Sequence, residues 1–194
     1  VSATNASDNA HSVGGVVGLS YGGRNTLTGA PKIDGCVNEG SVTGGFWVGG
    51  ILGLGSSRYA TENTVINCSN HGNIKATSSN YKNGGILAGG IVGGCLAWNT
   101  GYRSSRAQLK INNCYNDGEV TYSTENFAKP YVGGIVGSLW GQSTFQNNYN
   151  IGYVGTTSKG DPAAGAITCL GALAGYQYGN YVHFSYYPKD MLNN

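Results

Sequence analysis

The sequence predicts an all-β fold, a right-handed parallel β-helix or β-solenoid of about five coils. Two interleaved phrases and an unusual composition point there. The first phrase is Φ-x-x-C-x-N-x-G-x-Φ, where Φ is apolar. It spans Ile33–Val42, Val65–Ile74 and Ile111–Val120, and returns at Phe145–Val154 with Asn148 in the cysteine place. The second phrase, Val13–Gly18, repeats at Val48–Gly53, Ala88–Gly93 and Val132–Gly137, and in degenerate form at Leu170–Gly175. A repeat of this length is one supersecondary unit that can bury its apolar side only against a neighbour. Of the 194 residues, 34 are Gly and 14 are Tyr, while 10% carry charge against the usual quarter, so the surface is solvated by amides and hydroxyls.

Each element follows from these phrases. The glycine phrase is a short apolar run bounded by turn residues, which reads as a strand. It has no 3.6-residue apolar period, and Gly is costly inside a helix. Counted from Gly14, Gly49, Gly89, Gly133 and Gly171, its spacings are 35, 40, 44 and 38 residues. Close packing across a narrow coil accounts for the glycines. Phosphate cradling does not, because no copy continues to Gly-Lys-Ser/Thr or opens a helix. The cysteine phrase reads as two strands broken by a turn at Asn-x-Gly, where both residues tolerate a left-handed corner. An Asn at that corner can bond its own copies in a ladder. Three strands per coil at roughly 4.8 Å per coil give a prism on the order of 24 Å tall. Parallel crossovers favour the right-handed sense.

The chain reads as one domain over 1–194, with an N-terminal edge or cap at 1–12, repeats at 13–181 and a terminal cap at 182–194. Val182–Pro188 keeps the apolar start of the phrase but loses the Asn-x-Gly corner, and Pro188 ends the ladder. Net charge is +2 and spread along the chain, which leaves no basic stripe for nucleic acid. No apolar run approaches the roughly 20 residues of a membrane span. Without an initiator Met, signal peptide or anchor, the sequence reads as a piece of something longer.

Five cysteines form no CxxC pair, which argues against a zinc cluster and a complete disulfide framework. Cys36, Cys68 and Cys114 share one repeat position and are expected to stack as small buried side chains. Cys95 and Cys169 lie beside glycine phrases and could pair only if adjacent in space.

Catalytic chemistry has little support. His11, His71 and His183 occur in unrelated contexts, and His71 holds a variable, solvated corner position together with Glu39, Asp117 and Ile151. Glu39 and Asp117 would stand two coils and roughly 10 Å apart. That is too far for a retaining carboxylate pair and slightly beyond the inverting range. No Gly-Gly-x-Gly-x-Asp repeat suggests calcium. No catalytic residue, metal or cofactor is expected.

Binding has a better signal. After each glycine phrase comes an aromatic with basic, amide or aromatic neighbours. The series is Tyr21 with Arg24, Arg58 with Tyr59, Trp98 with Tyr102, Arg103 and Arg106, Trp140 with Gln142, and Tyr176 with Tyr178. Stacked coils would align them in a lateral stripe suited to sugar rings or protein contacts. Packing along the coil edge is the ordinary alternative. The long connections Lys75–Leu87, Thr121–Tyr131 and Gly155–Cys169 share one corner and form a second candidate. Tyr122, Phe127, Lys129 and Tyr131 mark the middle one, and Asp161-Pro162 sets a turn in the last.

Val-Gly-Gly-Ile-Val-Gly alternating with Asn-Cys-Tyr-Asn-x-Gly-x-Val resembles the GLUG repeat of large bacterial surface proteins, over residues 13–188. Those include adhesin-like proteins and the non-catalytic parts of some IgA-specific metallopeptidases. The resemblance implies an extracellular, cell-surface module, adhesive toward a host glycan or matrix protein, alongside other domains of the same protein. A purely structural stalk and a polysaccharide-active β-helix enzyme are the alternatives.

Overall fold

The computed structural model describes residues 1–2, 12–22, 31–57, 62–77, 86–97, 108–123, 130–140, 143–156, 169–178, 181–183 and 185–187. It is a parallel β-solenoid. Five sheets run along the stack, three of five strands and two of four, and every neighbour in a sheet comes from the adjacent coil. No described helix is long and apolar enough to cross a membrane.

Each of the first four coils carries five strands where the sequence suggested three, and the fifth shows three among the described residues. The glycine phrase supplies two. In the second coil, Trp47–Gly49 enters, the chain reverses at Gly50-Ile51, and Leu52–Ser57 leaves. The cysteine phrase supplies three, Glu62–Ile66, Ser69–Asn70 and Ile74–Thr77. The extra corner lies one residue before the cysteine. There Gly35, Asn67, Asn113 and Asn147 adopt φ of 66°, 55°, 56° and 54°. The left-handed position is therefore here and not at Asn-x-Gly, and only Gly and Asn take it cheaply. On the outside of this corner Asn147 donates to Asn113 at 3.2 Å, Asn113 to Asn67 at 3.1 Å, and Asn67 to Asp34 at 2.8 Å.

The glycine phrase is a tongue folded into the coil. Its entering and leaving strands lie back to back, so that a Cβ on Gly49 would strike the carbonyl of Leu52 and the backbone of Gly93. The tip touches the opposite wall. A Cβ on Gly90 would collide with the Gly134 carbonyl and with the side-chain amide of Asn116, and Gly50 stands in the same relation to Gly90 and Asn70. In the fifth copy Ala172 takes this place, where no described coil follows to exclude its methyl group.

The tongue divides the interior in two. One compartment holds Ile51, Leu52, Val65, Cys68 and their copies, including Phe145. The other holds Val42, Val48, Ile74, Ala76, Val120 and Tyr122. Val65, Ile111 and Phe145 occupy one repeat position and are all completely buried. Tyr122, read from the sequence as part of a long connection, lies in the strand Val120–Ser123 with 2% of its surface exposed. Its position alternates with a solvent-facing one, and the coil interior takes the ring.

Between the compartments runs a column of buried asparagines. Asn38 Nδ2 donates to Asn70 Oδ1 at 2.6 Å, Asn70 to Asn116 at 2.6 Å, and Asn116 to Asn150 at 2.7 Å. Each Nδ2 also donates to the glycine carbonyl two residues on, and Asn150 closes the column on the Ala172 carbonyl at 2.9 Å. The expected ladder is thus buried at the seam. The glycines of Asn-x-Gly serve stacking: a Cβ on Gly118 would strike the Gly72 carbonyl.

The cysteine column lies beside it. Cys68 Sγ donates to the Ile66 carbonyl at 3.1 Å and Cys114 Sγ to that of Asn112 at 3.3 Å, each with a longer contact to the preceding coil. Asn148 reproduces the inter-coil contact, donating to the Ile111 carbonyl at 2.8 Å. Cys36, Cys68, Cys95 and Cys114 are free thiols, and burial pushes Cys95 up to about 12.

Two substitutions test this seam. Asn116→Ala removes a completely buried amide that donates twice and accepts once, and should cost roughly 2–4 kcal/mol in urea unfolding. Gly90→Ala should lose more than about 4 kcal/mol, because backbone cannot yield to the methyl group. Gly45→Ala, with open space at its Cβ, should unfold like the wild type.

Candidate functional site

The corner strands alternate. In C-x-N-x-G the Cys and Asn point inward and the two x positions point to solvent, following the period of two. Parallel pairing then aligns each x position along the stack. The first column is Val37, Ser69, Tyr115 and Tyr149, extended by Tyr186, which bridges to Tyr149. The second, two residues further on and just past each strand, is Glu39, His71, Asp117 and Ile151. Tyr149 is 42% exposed and Tyr186 61%, with Val37, Ile151 and Tyr187 also open to solvent.

Side chains on this face order one another. The rings of Tyr115 and Tyr149 stack at 5.9 Å with 22° between their planes. The ring of His71 lies 5.9 Å from Tyr115, tilted by 54°. His71 Nδ1 meets both oxygens of the Asp117 carboxylate, at 2.9 and 3.0 Å. The histidine expected to be merely solvated therefore links adjacent coils. Partial burial, then the neighbouring Asp117 carboxylate, hold the Tyr115 phenol above its ordinary value. It remains a hydrogen-bond donor at neutral pH. A row of phenols beside a His–carboxylate pair thus offers aromatic surface and polar groups together, the mixture that recognises polyols and protein side chains. At the coil edge, the Lys32 ammonium at 2.7 Å, then Asn67, draw Asp34 below the usual carboxylate range.

The stripe predicted after the glycine phrases is only partly within the described residues. Tyr21 lies in Val17–Gly22 and is 47% exposed. Tyr176 lies in Ala174–Tyr178, its ring 5.0 Å from that of Tyr131 and tilted by 50°. The Tyr176 ring thus packs on a residue of the neighbouring long connection and not on another member of the stripe. Trp140 and Tyr178 are opposite one another in the same sheet, with side chains outside the described set. Arg24, Arg58, Tyr59, Trp98, Tyr102, Arg103, Arg106 and Gln142 lie outside the described residues, as do Phe127, Lys129, Asp161 and Pro162.

Sequence reasoning passed over the tyrosine column because it treated the x positions as variable. Tyr recurring at 115 and 149 in the same slot was the available signal. Among the described residues no group of three or more His, Cys, Asp or Glu side chains is placed to hold a metal ion. Glu39 and Asp117 occupy one column with His71 between them, as their spacing suggested. No family model, curated protein or solved structure matches the chain.

Removal of the charge gives a direct check of this cluster. Asp117→Asn should lower the Tyr115 phenol toward its ordinary value, read by ultraviolet titration. The exposed His71–Asp117 pair should cost less than about 1 kcal/mol when broken.

Proposed function

We propose that this chain is a GLUG-type repeat module of a bacterial surface protein and that it works outside the cell as a non-catalytic binding segment. The solvent-facing tyrosine column supports this reading most directly. A soluble surface so poor in charge does not need contiguous aromatic side chains, and exposed apolar patches generally mark contact sites. A parallel stack presents one outward side chain per coil in the same slot, aromatic at Tyr115 and Tyr149, so the face suits a ligand that is itself extended. A glycan chain of a host surface or matrix meets that description. Its hydroxyls would bond the phenols and the His71–Asp117 pair, and its apolar ring faces would lie on the exposed aromatic surface of Tyr149 and Tyr186.

The resemblance carried by the two phrases supports the surface location, and the repeated inter-coil bonding supports a stiff module that can hold a binding face away from its anchor. The alternative of a bare spacer has the same backbone and differs only in what the face does.

A glycan-array screen of the chain, run beside Tyr149→Ala/Tyr186→Ala and Trp98→Ala/Trp140→Ala, tests the proposal. Binding should fall at least about tenfold in the tyrosine variant, the loss of roughly 1.4 kcal/mol that two aromatic contacts supply. Loss confined to the tryptophan variant would move the site to the segments after the glycine phrases. Absence of binding by the folded wild type would leave the spacer.

A further inference from the structure

The cysteine column contains chemistry that the binding reading does not use. Cys36 and Cys68 occupy the same position in the first two coils. The residues around them are paired in register, Asp34 with Ile66 and Val37 with Ser69, and Ser69 N–H donates to the Cys36 carbonyl at 3.0 Å. Strand spacing in such a pair places the Cα atoms about 4.8 Å apart. That lies within the roughly 4.4–6.8 Å window of disulfides. Both side chains point into the same compartment.

The two thiols differ in access. Cys68 and Cys114 are 2% and 1% exposed, whereas Cys36 is only partly buried. The strand that follows it, Val37–Asn38, is the edge of the corner sheet, covered by a neighbour on one side only among the described residues. From this arrangement we propose that Cys36 and Cys68 form a redox-closable staple between the first two coils, set by exchange with a low-molecular-weight disulfide.

The chemistry balances in two exchanges. Cys36, the reachable sulfur, has its thiol held above the ordinary value by burial and then by Cys68, so it attacks the small disulfide through its minor thiolate fraction, forming a mixed disulfide and releasing one small thiol. Cys68 then attacks the Cys36 sulfur, forming the Cys36–Cys68 bond and releasing the second small thiol. Two protein thiols are oxidised and one external disulfide is reduced. Contact with Cys114 draws the Cys68 thiol below its ordinary value, which suits it to the second step. Cys114 is held protonated by the same contact and by burial, and remains a thiol. A bond between coils shortens the free chain of the unfolded state, so the oxidised form resists unfolding more strongly.

The test is to incubate the folded protein with oxidised glutathione, block remaining thiols, digest with trypsin without reductant, and map the peptides by mass. The expected product joins peptide 33–58 to peptide 59–75, with Cys114 recovered blocked. It should form with the loss of two thiols per chain, raise the urea midpoint, and revert with dithiothreitol. In Cys36→Ser the joined peptide should vanish while Cys68 stays a thiol. The proposal is overturned by a stable mixed disulfide on Cys36 with Cys68 still reduced, by a Cys68–Cys114 bond, or by recovery of Cys36 and Cys68 as blocked thiols. The wild-type map decides the matter even if the variant does not fold.

Discussion

The contact between the tip of the glycine tongue and the column of buried asparagines is the constraint on which the rest depends. A side-chain amide carries both donor and acceptor, so identical copies can bond head to tail without an unmatched partner. Each Nδ2 spends one hydrogen on the next Oδ1 and the other on its own glycine carbonyl. Neither a carboxylate nor an ammonium could repeat in this way without placing like charges about 4.8 Å apart. The amide column also sets how close the tongue must come, which is why the tip residues are glycine wherever another coil follows. A buried polar network of this kind specifies register strongly, because a slipped coil would leave amides unsatisfied in a low-dielectric interior.

That arrangement governs where function can reside. Inward positions are committed to stacking, whether apolar, amide or thiol. The two outward positions of each corner are released from that demand, and so is chain that leaves the coil. Variation at these positions leaves the scaffold intact, so Ser69, Tyr115 and Tyr149 can share one slot. In-register stacking then turns a local substitution into a surface row. The His71–Asp117 link shows how two unrelated corner residues become partners only because the coils are in phase.

The cysteine column shows the same logic with a softer donor. A thiol is small enough for the compartment and bonds weakly to the carbonyls around it. Asn148 fits the fourth place because its amide reaches the carbonyl one coil back and its oxygen accepts the N–H of Cys114 at 3.0 Å. The exchange is conservative in hydrogen bonding though not in polarity. Thiols and amides are thus interchangeable here for packing, and only the thiols add redox chemistry.

Much of this was legible in the residues. The repeats announced a stacked parallel fold, the Asn of Asn-x-Gly announced a ladder, and the shared position of Cys36, Cys68 and Cys114 announced a column. These are inferences about identical residues in identical places, and stacking preserves identity. What escaped was anything that depends on how one coil closes on itself. The inward fold of the glycine phrase, the left-handed corner before the cysteine, the burial of Tyr122 and the meeting of His71 with Asp117 all require residues distant in sequence to be neighbours. Sequence alone determined the periodicity, because each repeat must bury its apolar side against the next. Only the tertiary structure decided the cross-section and the exposed face, because the direction a side chain takes depends on the left-handed corner before the cysteine and on how the tongue folds against the opposite wall.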